Sequence, residues 1–148
     1  MNKLSDPIQL RTLLNNCVEN PSLLPPISTS AYIVTLNKWK GQPVADSFPL
    51  YAGGNSKNTD RFRTRVGDLI ADMLGFYGGG TGHHSGGKAL HAWCQSQLLN
   101  PLDLYISWVI KSPCFRCAEI ELYEKFKPSL NRKAPSICKD HKRRLTIR

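Results

Sequence analysis

The sequence predicts an α/β chain of the α+β kind, with a small central antiparallel β-sheet flanked by helices. Three observations predict it. Two runs rich in β-branched and aromatic residues, 31–36 and 48–52, lie either side of a loop around 41–47, which suits a hairpin and hence an antiparallel pair. Apolar residues return at helical spacing before and after that pair. The 148 residues, 41% of them hydrophobic, suffice for one ordinary domain that buries its own core.

Taken in order, Pro7 suits the first turn of a helix, and Ile8, Leu10, Leu13, Leu14, Cys17 and Val18 continue it at helical spacing to about Glu19. The prolines in 21–26 cannot extend that helix, since they lack the N–H and restrict the residue before them. A connector is expected there. The two strands follow, then a turn at 53–56 and a helix from about Asp60, carried by Phe62, Val66, Leu69, Ile70 and Met73. Gly67 costs that helix about 1 kcal/mol relative to alanine. A glycine-rich loop over 75–87 leads to a short helix from Lys88 to about Gln97. A third strand is expected over 104–110, and a last helix over 118–126, stopped before Pro128. The expected organisation is an N-terminal helix and linker over 1–28, a core over 30–131 and a basic tail over 132–148, without internal repeats.

The formal charge is +9, from 20 Lys and Arg against 11 Asp and Glu. Such a chain concentrates polyanions near its surface, which makes nucleic acid the leading partner; a merely solvated basic surface is the alternative. The first residues lack the pattern of a secretory signal, and no stretch is apolar enough to span a bilayer. Five cysteines, an odd number, favour a metal site or buried thiols over a disulfide framework, and a cytoplasmic home is expected.

The residues that carry chemistry are spread along the core. Tyr32 and Tyr51 sit on adjacent expected strands, where a hairpin can bring both to one face; two buried core tyrosines are the alternative. Beyond Tyr51, Arg61, Arg63 and Arg65 crowd one segment beside Lys57. Guanidinium forks suit the non-bridging oxygens of a phosphate and the charge that develops in its transition state. Arg65 is flanked by Phe62 and Val66, which should fix it against the core, whereas Arg61 and Arg63 are expected to grip phosphates or remain solvated. Further on, Glu119 is followed by Leu122, Pro128 and Asn131.

This order of a tyrosine strand, a Tyr-x-Gly strand, an arginine helix and a Glu-to-Asn motif resembles the GIY-YIG nuclease family over 30–131. Ser30-Ala31-Tyr32 stands where Gly-Ile-Tyr is usual, Tyr51-Ala52-Gly53 stands for Tyr-Ile-Gly, and the loop between them is longer than is common in the family. The segment 62–66 is similar to the family's arginine motif. The resemblance implies a metal-dependent endonuclease acting on DNA, expected to be double-stranded, with Mg²⁺ or Mn²⁺ as cofactor. It assigns Tyr32 and Tyr51 to the two half-motifs, Arg65 to the catalytic arginine, Glu119 to the sole carboxylate metal ligand and Asn131 to ordering the site. In the scheme it implies, Tyr32 helps to deprotonate the attacking water, and Arg65 and Tyr51 stabilise the pentacovalent charge.

One departure concerns the position four residues after the arginine, where the family often places His or Tyr and this chain has Leu69. His83 and His84, in the glycine-rich loop, offer a replacement proton carrier, with His84 preferred as catalytic and His83 as a DNA contact. Lys88 adds charge at a helix start. Incidental loop histidines are the alternative. The loop does not fit the phosphate-binding pattern of nucleotide hydrolases.

A second candidate metal set is separate from these. Cys114 and Cys117 form Cys-x-x-Cys, and Cys138 and His141 form Cys-x-x-His. Three thiolates and an imidazole are a standard tetrahedral zinc set, so a structural zinc that clips the basic tail to the Glu119 helix is expected, with inert thiols as the alternative. Two rival functions remain: a nucleic-acid-binding module of the same fold without catalysis, and a zinc-stabilised interaction domain.

Overall fold

The computed structural model describes residues 3–55, 58–77, 85–112, 114–136 and 138–141. Its elements run in the order β1 (Ile8–Gln9), α1 (Leu10–Glu19), β2 (Ala31–Thr35), β3 (Pro49–Gly54), α2 (Phe62–Met73), α3 (Ser85–Gln97), β4 (Tyr105–Trp108) and α4 (Phe115–Phe126), with single 3-10 turns at Pro21–Leu23, Ala45–Ser47 and Pro101–Asp103. The strands form one antiparallel sheet in the order β1-β4-β2-β3. The α+β class read from the sequence is the class observed.

β2 is central, paired with β3 on one side and β4 on the other, and all five of its residues are buried. Alternate residues therefore go to opposite cores, as the period of two requires. Tyr32 and Val34 face a core shared with Leu10 and Leu13 of α1, Phe62, Val66 and Leu69 of α2, and Leu90 and Cys94 of α3. Ala31 and Ile33 face the other core, with Ala118 and Leu122 of α4 and with Trp39. The sheet is thus covered on both faces, and α4 lies opposite the other helices.

β1 is the element that sequence patterning absorbed into α1. Ile8 and Gln9 pair with Ile106 and Tyr105 instead, because the extended backbone before Leu10 completes the sheet beside β4. α3 also starts earlier than expected, at Ser85 rather than Lys88. Gly86 and Gly87 argue locally against a helix, but the packing needs them: a Cβ on Gly86 would stand 2.3 Å from the Tyr51 ring, and one on Gly87 2.5 Å from Asp72 Cβ. α4 likewise begins at Phe115, three residues before the expected start.

β3 is an edge strand, and the chain that leaves α4 covers it. The Ser129 and Leu130 amides donate to the carbonyls of Pro49 and Leu50 at 3.1 and 2.7 Å. An uncovered edge would present unpaired N–H and C=O groups. No described helix is long and apolar enough to cross a membrane.

Candidate active site and metal centre

Tyr32 and Tyr51 share one face of the sheet because Tyr32 pairs with Gly53 and Tyr51 with Val34. Their ring centroids are 6.3 Å apart. Phe62 packs on Tyr32 from α2, also at 6.3 Å. Gly53 lets Tyr32 in: a Cβ there would stand 2.7 Å from the Tyr32 hydroxyl oxygen. Any side chain at Gly53 would force that ring or the strand to move.

Arg65 reaches the same end of β3. Its Nε donates to the Gly54 carbonyl at 3.4 Å, and its helix is held by buried Phe62 and Val66, as expected. Glu119 comes from α4, with its Oε1 3.2 Å from Arg116 Nη1 and its side chain 15% exposed. Burial pushes the Glu119 carboxyl up to about 6, with the Arg116 and Arg65 guanidiniums pulling the other way. Asn131 lines a cleft with Tyr51. It clamps the strand beneath it, its side chain accepting from the Ala52 amide and donating to the Ala52 carbonyl, both at 2.9 Å.

Tyr32 is fully buried. Burial pushes its phenol well above the usual tyrosine range, the neighbouring Tyr51 adds to this, Arg65 opposes it and Glu119 adds to it. Burial thus favours the neutral phenol over the phenolate.

The arginines part company. Arg61 joins Arg65, Asn55, Thr59, Thr64 and Asp68 around a small pocket of about 230 Å³. Arg63 instead donates from Nε to the Pro25 carbonyl at 2.7 Å and ties the proline connector to α2. This gives Arg63 a structural tie through Nε alone, in addition to the phosphate contact expected of it. Arg63→Ala is accordingly expected to cost about 1.5–3 kcal/mol of stability, the range for a hydrogen bond from a charged donor. Urea denaturation checks this; an unchanged midpoint would show that the Pro25 contact carries no stability.

Lys88 lines a larger cleft next to Tyr51 and Asn131, with Nζ 5.1 Å from the Tyr77 ring centroid. Lys57, His83 and His84 lie outside the described residues.

The second set comes together. The donor atoms of Cys114, Cys117, Cys138 and His141 all lie within 4.8 Å of one another, so the four can hold a metal ion. Cys114 Sγ is 3.6 Å from Cys138 Sγ, far outside a disulfide bond, and Cys138 Sγ is 3.2 Å from His141 Nδ1. Cys114 precedes α4 and Cys117 lies in its first turn. Asn58, which the sequence did not single out, braces this site. Its Nδ2 donates to Cys114 Sγ at 3.8 Å and its Oδ1 accepts from the Phe115 amide at 2.9 Å, joining the segment before α2 to the start of α4.

Compared with protein-family models, curated proteins and solved structures, the chain matches none.

Proposed function

We propose that this chain is a metal-dependent DNA endonuclease of the GIY-YIG type, with a structural zinc that secures its C-terminal segment. One observation carries the reading: Tyr32, Tyr51 and Arg65, from three different elements, meet about the Gly53–Gly54 end of β3, with Glu119 of α4 near enough for its charge to act on Tyr32 and for that of Arg65 to act on it. A core built only for stability has no use for a buried carboxylate that shares a tyrosine's field with an arginine, since burying such groups is costly. The net charge of +9 supports a polyanionic substrate.

Glu119 fits a divalent cation. Arg116 contacts Oε1, which leaves Oε2 for the ion, and one carboxylate suits Mg²⁺ or Mn²⁺ where water and phosphate complete the shell. A cation bound there would supply Lewis-acid charge to the phosphate. The protein's own groups do the rest. With Nε anchored on Gly54, Arg65 is held in place, and its remaining N–H groups suit the oxygens of the pentacovalent phosphorus. Tyr32 stays protonated and donates from its hydroxyl, and Tyr51, half-buried beside it, presents a second phenol at the cleft. Asn131 holds the Ala52 peptide and thereby the strand that carries Tyr51.

Zinc is the metal that suits the second set. Zn–S bonds of about 2.3 Å in a tetrahedron give sulfur–sulfur edges of about 3.8 Å, close to the 3.6 Å between Cys114 and Cys138. Soft thiolates also favour zinc over hard, oxygen-seeking cations.

The test is Mg²⁺-dependent cleavage of a supercoiled plasmid, with single-turnover rates and binding isotherms for arginine variants. Arg65→Ala is expected to lower the rate at saturating DNA by roughly two to three orders of magnitude, the loss of about 3–4 kcal/mol of transition-state stabilisation. Arg61→Ala should weaken binding and flatten its salt dependence without changing the saturated rate. If Arg65→Ala only shifts the isotherm, the catalytic arginine has been misassigned; if the parent cuts no DNA with any divalent cation, the endonuclease reading fails.

A further inference from the structure

The segment that covers β3 continues into Arg132 and Lys133, and this brings two cations to line a cleft of about 630 Å³. Lys88 from α3 supplies a third. No carboxylate lines the cleft among the described residues. The rest of its lining includes the Tyr51 and Tyr77 rings, Ala89 and Ala92 of α3, and Leu130 and Asn131. Tyr77 is 36% exposed, and His91 meets its ring edge-on at 5.7 Å. Lys88 Nζ stands over that ring, 5.1 Å from its centroid, so the cation covers one face of the ring.

These are the two groups a single nucleotide needs, a π-surface for its base and charge for its phosphate. Volume selects among nucleic acids. A cleft of this size accepts a ligand of roughly one or two nucleotides, and a paired base inside a duplex cannot reach an aromatic face without being taken out of the stack. Tyr51 and Asn131 line the cleft and also belong to the proposed active site, so its occupant lies next to the phosphate being cut. Gly86 keeps this wall thin, because any side chain there would displace the Tyr51 ring.

We infer that the cleft binds an unpaired nucleotide adjacent to the scissile phosphate, with its base on Tyr77 and its phosphate on Lys88, Arg132 and Lys133, so that the substrate is DNA with a single-stranded segment beside the cut. This rests on the endonuclease reading for the position of the cut, and it narrows the double-stranded substrate expected from the sequence.

The experiment is fluorescence anisotropy of the full chain, without added Mg²⁺ or Mn²⁺, on a labelled duplex with a short 5′ or 3′ overhang and on a blunt duplex with the same number of phosphates. At least one overhang DNA should bind tenfold or more tightly than the blunt one. Tyr77→Ala should remove about tenfold to a hundredfold of that affinity, as expected for a lost base–aromatic stack, whereas Tyr77→Phe keeps the ring and the preference. Ala89→Leu, which fills the floor, should act like Tyr77→Ala, and circular dichroism of each variant checks that the fold is intact. Equal affinity of the parent for all the DNAs overturns the inference, as does a preference untouched by both Tyr77→Ala and Ala89→Leu. Because nothing is cleaved in this assay, the two readings separate. A Tyr77-dependent overhang preference in a chain that never cuts DNA supports the cleft and overturns the nuclease; efficient cutting of blunt duplex with no preference does the reverse.

Discussion

In Glu119→Gln, Mg²⁺-dependent cleavage is expected to fall to background while DNA affinity stays within a few-fold of the parent's. Glutamine keeps the size of the side chain and an oxygen for Arg116, and removes only the charge that would hold the cation. The usual objection to such a variant, that it is simply less folded, runs the wrong way here. Burial raises the folded-state pKa of Glu119 to about 6, above its ordinary value of 4.5. Between those two values the folded chain holds more protons than the unfolded one, so stability falls as pH rises across that window. The loss is complete above about 6 and amounts to about 2 kcal/mol at 1.36 kcal/mol per unit. Without added divalent metal, Glu119→Gln should therefore lack this fall and be the more stable protein at neutral pH. Urea midpoints at pH 4.5 and 7.5, beside single-turnover rates, give both halves of the result. Full activity in the variant under saturating substrate would sink the assignment, and DNA binding without cleavage in the parent would leave a nucleic-acid-binding module of the same fold.

Most of the framework could be read from the chain because each long element states its own period. The helix through Phe62, Val66 and Leu69 and the strand 31–35 bury the residues that patterning selects. What escaped was set by partners distant in sequence. Two residues of β1 are too few to show alternation, and Ile8 fits helical spacing as well as it fits its pairing with Ile106. The start of α3 is hidden in a Gly-Gly pair whose missing Cβ atoms are demanded by Tyr51 and Asp72 and by nothing local. Chain order was enough to list Tyr32, Arg65 and Glu119, but their roles depend on burial. Arg63 and Arg65, two positions apart on one helix, take different partners, the Pro25 carbonyl and the Gly54 carbonyl. Asn58 carries no motif at all; its importance comes from reaching Cys114 and Phe115 at once.

The zinc reading makes the other large prediction, since an ion that ties Cys114 and Cys117 to Cys138 and His141 joins the start of α4 to a segment beyond its end. Protein purified without added metal is expected to carry one zinc per chain, and Cys138→Ser to carry far less. Structural zinc sites in small peptides are worth roughly 10–16 kcal/mol at neutral pH, but only a part of that should appear as stability here. Two apolar cores on either side of the sheet do not involve these ligands, so the fold does not depend on the metal as a zinc finger does. The loss should be local and of the order of 2–4 kcal/mol, a fall in melting temperature of about 10 °C. A strong chelator should reproduce it in the parent and leave Cys138→Ser unmoved. Thiolates must lose protons to bind, so zinc should also leave as the pH is lowered. Activity offers an independent readout, because α4 carries Glu119 only two residues beyond Cys117. If the ion fixes that first turn, cleavage at saturating Mg²⁺ should fall in Cys138→Ser by more than the loss of folded protein explains. Zinc that is substoichiometric and unchanged in Cys138→Ser, with a melting temperature indifferent to chelator, would reduce the four converging side chains to free thiols beside a surface histidine.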